Sequence, residues 1–85
     1  MGKRLGQHFL KSKSIVFDII KAADLDEDDI VLEVGPGKGI LTGALIEKAK
    51  KVIAVEKDRK LVEYLIENLR VYQNLAIAKK WNILI

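Results

Sequence analysis

Three stretches of the 85-residue chain repeat their apolar residues at helical spacing. In residues 14–23, 41–49 and 58–69 the apolar side chains return every three or four positions, and charged residues occupy the positions between them. This spacing predicts amphipathic helices with one apolar face. Ser14 and Asp58 have side chains suited to cap the first and third helices.

Two shorter apolar stretches separate these helices. Residues 30–34 and 52–55 are rich in β-branched side chains and lie next to turn-forming or charged residues, which predicts strands, the first of them buried. The third helical pattern can be followed as far as Lys79, which leaves residues 83–85 as the opening of a third strand. Strands that alternate with helices predict right-handed βαβ crossovers. We therefore expect an α/β fold with a truncated Rossmann-like open parallel sheet of about three strands.

A glycine-rich segment lies directly between the first strand and the second helix. Gly35, Gly37 and Gly39 stand at alternate positions, where missing side chains let a ligand approach the backbone. The dinucleotide fingerprint GxGxxG would need a glycine where this chain has Ile40, and a Walker A motif would need Ser or Thr after Lys38. The pattern therefore disfavours NAD, FAD and P-loop nucleotides.

Two acidic residues lie near this segment. Glu56 ends the second strand 21 residues after Gly35, the spacing at which parallel-sheet nucleotide sites place an acid on the ribose hydroxyls. The alternative for Glu56 is an exposed acid near a helix start, where the helix dipole favours it. Glu33 is either a strand-end acid on the solvent side or an acceptor for a cationic or amine group near the loop. The glycines and the spacing together favour a ligand role for Glu56.

Charge and composition narrow the function classes only slightly. The chain carries 15 Lys and Arg against 12 Asp and Glu, and no acid occurs among its first seventeen residues. The basic start is either a solvated flexible segment or an arm that contacts nucleic-acid phosphates. The absence of cysteine excludes disulfides and thiolate metal sites and favours a cytoplasmic location. No apolar stretch approaches membrane-spanning length, so we expect neither a signal peptide nor an anchor.

Three segments resemble the motifs of a known family, in that family's order and spacing. Residues 33–39, Glu-Val-Gly-Pro-Gly-Lys-Gly, resemble the ExGxGxG motif of class I methyltransferases, and residues 55–58 resemble their acidic second motif. Residues 4–10, Arg-Leu-Gly-Gln-His-Phe-Leu, resemble the GQ[NH]FL signature of ribosomal RNA adenine N6-dimethyltransferases, which include the erythromycin-resistance methylases. The resemblance implies one partial domain with the first half of the class I fold, comprising a basic arm (1–13) and a βαβ core (14–85).

The resemblance also implies a cofactor and roles for particular residues. The cofactor would be S-adenosylmethionine and the methyl acceptor an adenine in ribosomal RNA. Gly35 and Gly37 would lie against the methionine part of the cofactor, and Glu56 would bind its ribose. From the residues alone, a surface histidine in a mobile arm is the favoured interpretation of His8, and it is the motif match that favours a cofactor contact. The expected cofactor-binding residues are His8, Leu10, Glu33, Gly35, Gly37, Gly39 and Glu56, and the expected RNA contacts are Lys3, Arg4, Lys11 and Lys13.

Two features of the family have no counterpart in the 85 residues. Family members carry an adenine-binding acid after the third strand and then an Asn-Leu-Pro-Tyr-type segment that holds the target base. If residues 82–85 form the third strand, as we expect, the given sequence ends just before this acid. In the other register, counted from Asn74, the place of the acid would be taken by Trp81. We therefore assign no catalytic residue and expect this polypeptide alone to be inactive. We also expect self-association along the edge of the first strand, which a fourth strand covers in the family. The alternatives are a non-catalytic α/β scaffold with a vestigial glycine loop, or a generic nucleotide-binding module.

Overall fold

The computed structural model describes residues 13–79, in which three helices alternate with three strands. The strands are short and mostly apolar, and each is followed or preceded by a helix, as the hydrophobic spacing predicts. In chain order the elements are α1 (Lys13–Ala23), β1 (Ile30–Val34), α2 (Ile40–Lys48), β2 (Lys51–Val55), α3 (Arg59–Leu69) and β3 (Leu75–Ala78).

The three strands form a parallel sheet in the order β1-β2-β3. Val34 pairs with Val55, so β1 and β2 end side by side at their carboxyl ends. Because parallel crossovers are right-handed and both step in the same direction, α2 and α3 cover the same face of the sheet. The predicted fold class, a Rossmann-like open parallel α/β sheet, is confirmed.

The core lies between the sheet and these helices. Leu45, Ile46, Ala49 and Val52 are buried together, and Ile20 of α1 packs against them. The side chains of β1 on the face of the sheet opposite these helices are exposed. In the described sheet β1 is an edge strand, with one covered and one open face, so the prediction of a buried first strand is wrong. The exposed side chains of this open face are Ile30 (62%), Leu32 (52%) and Val34 (61%).

The third strand is formed by Leu75–Ala78, not by a continuation of the preceding helix. Helix α3 ends at Leu69, and Asn74 then donates two hydrogen bonds from Nδ2 to the carbonyl oxygens of Ile46 and Ala49, at 3.0 and 3.3 Å. These bonds satisfy carbonyl groups at the end of α2, which have no partner within the helix. Residues 83–85, where we expected the third strand to open, lie outside the described part of the chain.

The two predicted helix caps have different outcomes. Asp58 caps α3, because its carboxylate accepts hydrogen bonds from the backbone N–H groups of Lys60 and Leu61 at 2.9 and 3.2 Å. Ser14 lies inside α1, which extends from Lys13, so it is not the cap of that helix. Within residues 13–79, no helix is long and apolar enough to cross a membrane.

Candidate cofactor site

The glycine-rich segment forms a tight loop at the carboxyl end of β1. Gly35 N–H donates to the carbonyl oxygen of Val55 at 2.9 Å, which extends the pairing of β1 with β2 by one bond. Gly39 N–H then donates to the carbonyl oxygen of Pro36 at 2.9 Å, which closes a turn, and α2 begins at Ile40. The segment therefore leaves the sheet and enters the helix within a few residues, as in Rossmann-like sites.

The three glycines all have left-handed backbones but differ in their surroundings. Their φ angles are +69° at Gly35, +59° at Gly37 and +82° at Gly39, a region that side-chain-bearing residues avoid. Within residues 13–79, a Cβ atom at Gly35 or Gly37 would meet nothing within 4 Å, so the described part of the chain leaves these positions open. A Cβ atom at Gly39 would lie 2.7 Å from Leu65 Cδ2 and 2.9 Å from Leu69 Cδ1. Gly39 therefore allows α3 to pack against the loop, while Gly35 and Gly37 leave room for a ligand.

Glu56 is turned toward this loop. It is only 9% exposed, which excludes the alternative of an exposed acid at a helix start. Its Oε1 accepts a long hydrogen bond from Gly37 N–H at 3.4 Å, and its Oε2 accepts one from Asp58 N–H at 3.0 Å. The carboxylate therefore lies between the glycine loop and the end of β2, where it can accept hydrogen bonds from a ligand in the loop.

Glu33 is buried on the helix-covered side of β1. It is 8% exposed, so the alternative of a strand-end acid on the solvent side is wrong. Its Oε1 accepts a hydrogen bond from the hydroxyl of Thr42, at 2.5 Å, in the first turn of α2. Burial raises the pKa of Glu33 above its ordinary value of 4.5, and the Thr42 hydroxyl partly opposes that rise.

Two further residues near the loop did not emerge from the sequence analysis. Thr42 is fully buried, although its polar side chain interrupts an apolar helical pattern. In the sequence, this polar residue among apolar ones was the feature that could have indicated a buried polar contact. Lys38, at the tip of the loop, places its Nζ 6.0 Å from the centre of the Tyr64 ring on α3, within range of a cation–π contact.

Several predicted site residues cannot be placed. His8, Leu10, Lys3, Arg4 and Lys11 lie outside the described residues, so their predicted contacts with cofactor and RNA stay predictions. Of the predicted basic arm, the structure describes only the last residue, which is exposed at the start of α1.

Fold and site together define the class of the protein. A parallel sheet, a glycine loop after its first strand and a buried carboxylate at the tip of its second strand are the features of a Rossmann-like domain. Residues 1–83 match the family described as ribosomal RNA adenine dimethylase, and the chain belongs to that family.

Individual relatives agree with this assignment. The chain is 53% identical over 75 residues to the ribosomal RNA small subunit methyltransferase A of Dehalococcoides mccartyi, a match that covers 88% of this chain and 26% of the relative. A dimethyladenosine transferase structure from Plasmodium falciparum is 36% identical, with a TM-score of 0.76 over 87% of this chain and 28% of that one. A coclaurine N-methyltransferase structure with bound N-methylheliamine and SAH is 25% identical, with a TM-score of 0.70 over 80% and 21% of the two chains.

The matches cover only part of each relative. The chain spans between 26% and 29% of the length of the curated relatives that it matches. The fold and the family are therefore established over this portion, which contains the glycine loop and the acids around it.

Proposed function

We propose that this chain is the S-adenosylmethionine-binding N-terminal part of a ribosomal RNA adenine N6-dimethyltransferase. The observation that carries the proposal is the orientation of Glu56, whose carboxylate contacts the glycine loop beside the open positions Gly35 and Gly37. Family membership supports the methyltransferase assignment. The SAH in the structurally similar coclaurine enzyme supports the type of cofactor.

The residues of the site fit the parts of S-adenosylmethionine. A carboxylate is an acceptor without donors, so Glu56 suits the ribose hydroxyls and Glu33 suits the ammonium group of the amino-acid tail. Gly35 and Gly37 present bare backbone, against which the methionine part would lie. Gly39 belongs to the same loop, and its predicted cofactor contact would come from backbone atoms only. When bound, the cofactor supplies a methyl group on a positively charged sulfur.

The acceptor and its binding surface are a further part of the proposal. The family description names adenine in ribosomal RNA, and we propose this acceptor for the protein to which the chain contributes. Lys3, Arg4, Lys11 and Lys13 would contact RNA phosphates, where each contact adds affinity that declines with salt. His8 and Leu10 would close over the cofactor. The cytoplasmic location stays a prediction.

Glu56→Gln tests the cofactor proposal. Glutamine keeps one acceptor oxygen for the loop but lacks the negative charge, so the hydrogen bonds to the ribose weaken. We expect S-adenosylmethionine and S-adenosylhomocysteine to bind the unaltered polypeptide, NAD not to bind, and Glu56→Gln to reduce affinity about 10-fold to 100-fold. Isothermal titration calorimetry measures all three ligands.

Glu63→Gln is the matched control, because Glu63 is an exposed acid on α3 and should leave binding unchanged. If none of the three ligands binds the unaltered polypeptide, the scaffold alternative gains support and the cofactor proposal fails. Binding of NAD alone would instead favour the generic nucleotide-binding module.

We also propose that the polypeptide self-associates through β1, with a second copy as the partner. Among the described strands β1 is an edge, and the three apolar side chains of its open face are each more than half exposed. Unpaired backbone groups beside exposed apolar side chains recruit further strands. The strand edge and the apolar face are therefore two adjoining surfaces of β1 that a second copy can cover.

Leu32→Lys is expected to weaken this self-association, because it places a charge in the middle of the open face. Sedimentation velocity across a wide concentration range should show a growing dimer fraction for the unaltered polypeptide and a smaller one for the variant. Val71→Lys is the control, since Val71 is 74% exposed in the turn after α3 and lies away from the strand. A single monomeric species at every concentration would contradict the proposal.

A further inference from the structure

Glu33 and Thr42 form a polar pair in an otherwise apolar setting. Thr42 is fully buried and Glu33 nearly so, and both lie where α2 packs against β1. A buried polar pair contributes little to stability compared with apolar residues of similar shape. The fold therefore does not require a carboxylate and a hydroxyl at these positions, which favours a functional role for the pair.

The pair lies at the cofactor loop. Glu33 is two residues before Gly35, and Thr42 is the third residue of α2, the helix that follows the loop. The Thr42 hydroxyl occupies one site on Oε1. A carboxylate has about four such sites, so acceptor capacity is left for another donor.

We propose that Thr42 is a positioning residue, which holds the Glu33 carboxylate in place to accept the ammonium group of the cofactor's amino-acid tail. The inference rests on the proposed function and adds a residue to it. Thr42 touches Glu33 and not the cofactor, so its effect passes entirely through the carboxylate. Because its hydroxyl donates to Oε1, it favours the ionised form that attracts a cation.

Among the described residues, Thr42 is the side chain that influences the pKa of Glu33, and no charged side chain does so. Ala54, the partner of Glu33 on β2, carries no charge. Burial comes first among the causes of the Glu33 pKa shift and the Thr42 hydroxyl second. The start of α2 also favours a negative charge nearby. The ionisable side chains on the adjoining loop and elements are Lys38, Glu47, Lys48, Lys51 and Glu56.

Two substitutions separate the hydroxyl from the shape of Thr42. Thr42→Val keeps the shape and removes the hydroxyl, while Thr42→Ser keeps the hydroxyl and removes a methyl group. The ligands are S-adenosylmethionine, S-adenosylhomocysteine and 5′-methylthioadenosine, the last of which has the nucleoside and thioether but no amino-acid tail. Calorimetric titrations over a pH series measure each affinity.

We expect Thr42→Val to reduce the affinity for the two ligands with an amino-acid tail about tenfold near neutral pH, and to leave 5′-methylthioadenosine unchanged. Thr42→Ser should behave like the unaltered polypeptide. Loss of the hydroxyl raises the pKa of Glu33 further, so the affinity of Thr42→Val should recover as the pH rises. If Thr42 served only to fill space, replacing it would not change how the affinity depends on pH.

Three results would overturn the inference. Equal affinities for S-adenosylmethionine in Thr42→Val and the unaltered polypeptide would show that the hydroxyl has no role in binding. An equal loss for all three ligands would show that the substitution disturbs the whole site. Failure of the unaltered polypeptide to bind any of them would overturn the proposed function itself. The first two results would contradict only the role of Thr42 and would leave the proposed cofactor site unaffected.

Discussion

Gly39→Ala is expected to lower the free energy of unfolding by about 2–5 kcal/mol. The left-handed backbone at Gly39 costs an alanine about 1–2 kcal/mol, and forcing a methyl group into a packed core costs about 1–3 kcal/mol more. The second cost arises because the new Cβ would lie 2.7 Å from Leu65 Cδ2. Leu65 has 0% exposure, so its methyl group can move away only by repacking the core around it. Chemical denaturation measures the change.

Gly37→Ala is the matched comparison for this prediction. Gly37 has a similar left-handed φ of +59°, but a Cβ there would meet none of the described residues within 4 Å, so only the backbone cost of about 1–2 kcal/mol is expected. Its methyl group would instead occupy the space proposed for the cofactor. Gly39→Ala should therefore be the more destabilised variant and Gly37→Ala the weaker binder of S-adenosylmethionine. Equal losses of stability would contradict the packing role of Gly39.

The different roles of these glycines could not be read from the sequence. The alternation of Gly35, Gly37 and Gly39 identified the loop and its place between strand and helix, because such turns depend on local backbone geometry. The contact of Gly39 with Leu65 joins residues far apart in the chain. It depends on how closely α3 packs, which a one-dimensional pattern does not contain.

The boundary of the third strand was missed for a similar reason. Leu61, Leu65 and Leu69 form a helical stripe, and Leu75 extends it only approximately, so spacing alone did not stop the helix. What fixes the strand is tertiary: Asn74 binds carbonyl groups at the end of α2, and Leu75–Ala78 then pairs with β2. A short apolar segment fits either element until its partners are known.

The acids of the site show both the strength and the limit of sequence reasoning. The position of Glu56 followed from strand length and spacing, since parallel strands end at a common edge of the sheet. Whether Glu33 faced solvent or the core depended on which face α2 covers, and the sequence left that open. The structure gives Glu33 a buried position, with consequences for stability as well as for binding.

Glu33→Gln is expected to raise stability at neutral pH while it weakens cofactor binding. The folded pKa of Glu33 lies above its ordinary value of 4.5, so the stabilisation linked to its protonation is fully present below pH 4.5. It is lost as the pH rises through the folded value. Glutamine stays neutral and avoids that loss, so the variant should unfold at higher denaturant concentration than the unaltered polypeptide at pH 7, and the difference should vanish at low pH.

While Glu33→Gln should raise stability at pH 7, it should lower the affinity for the cofactor. Removing one partner of a buried, hydrogen-bonded charge pair costs about 2 kcal/mol or more, so the affinity for S-adenosylmethionine should fall about thirtyfold or more. Glu47→Gln on the exposed side of α2 is the control and should change neither quantity. A variant that is less stable at pH 7, with unchanged affinity, would show that the Glu33 carboxylate serves the fold. The expected combination would show that the fold tolerates a destabilising charge at this position for the sake of binding.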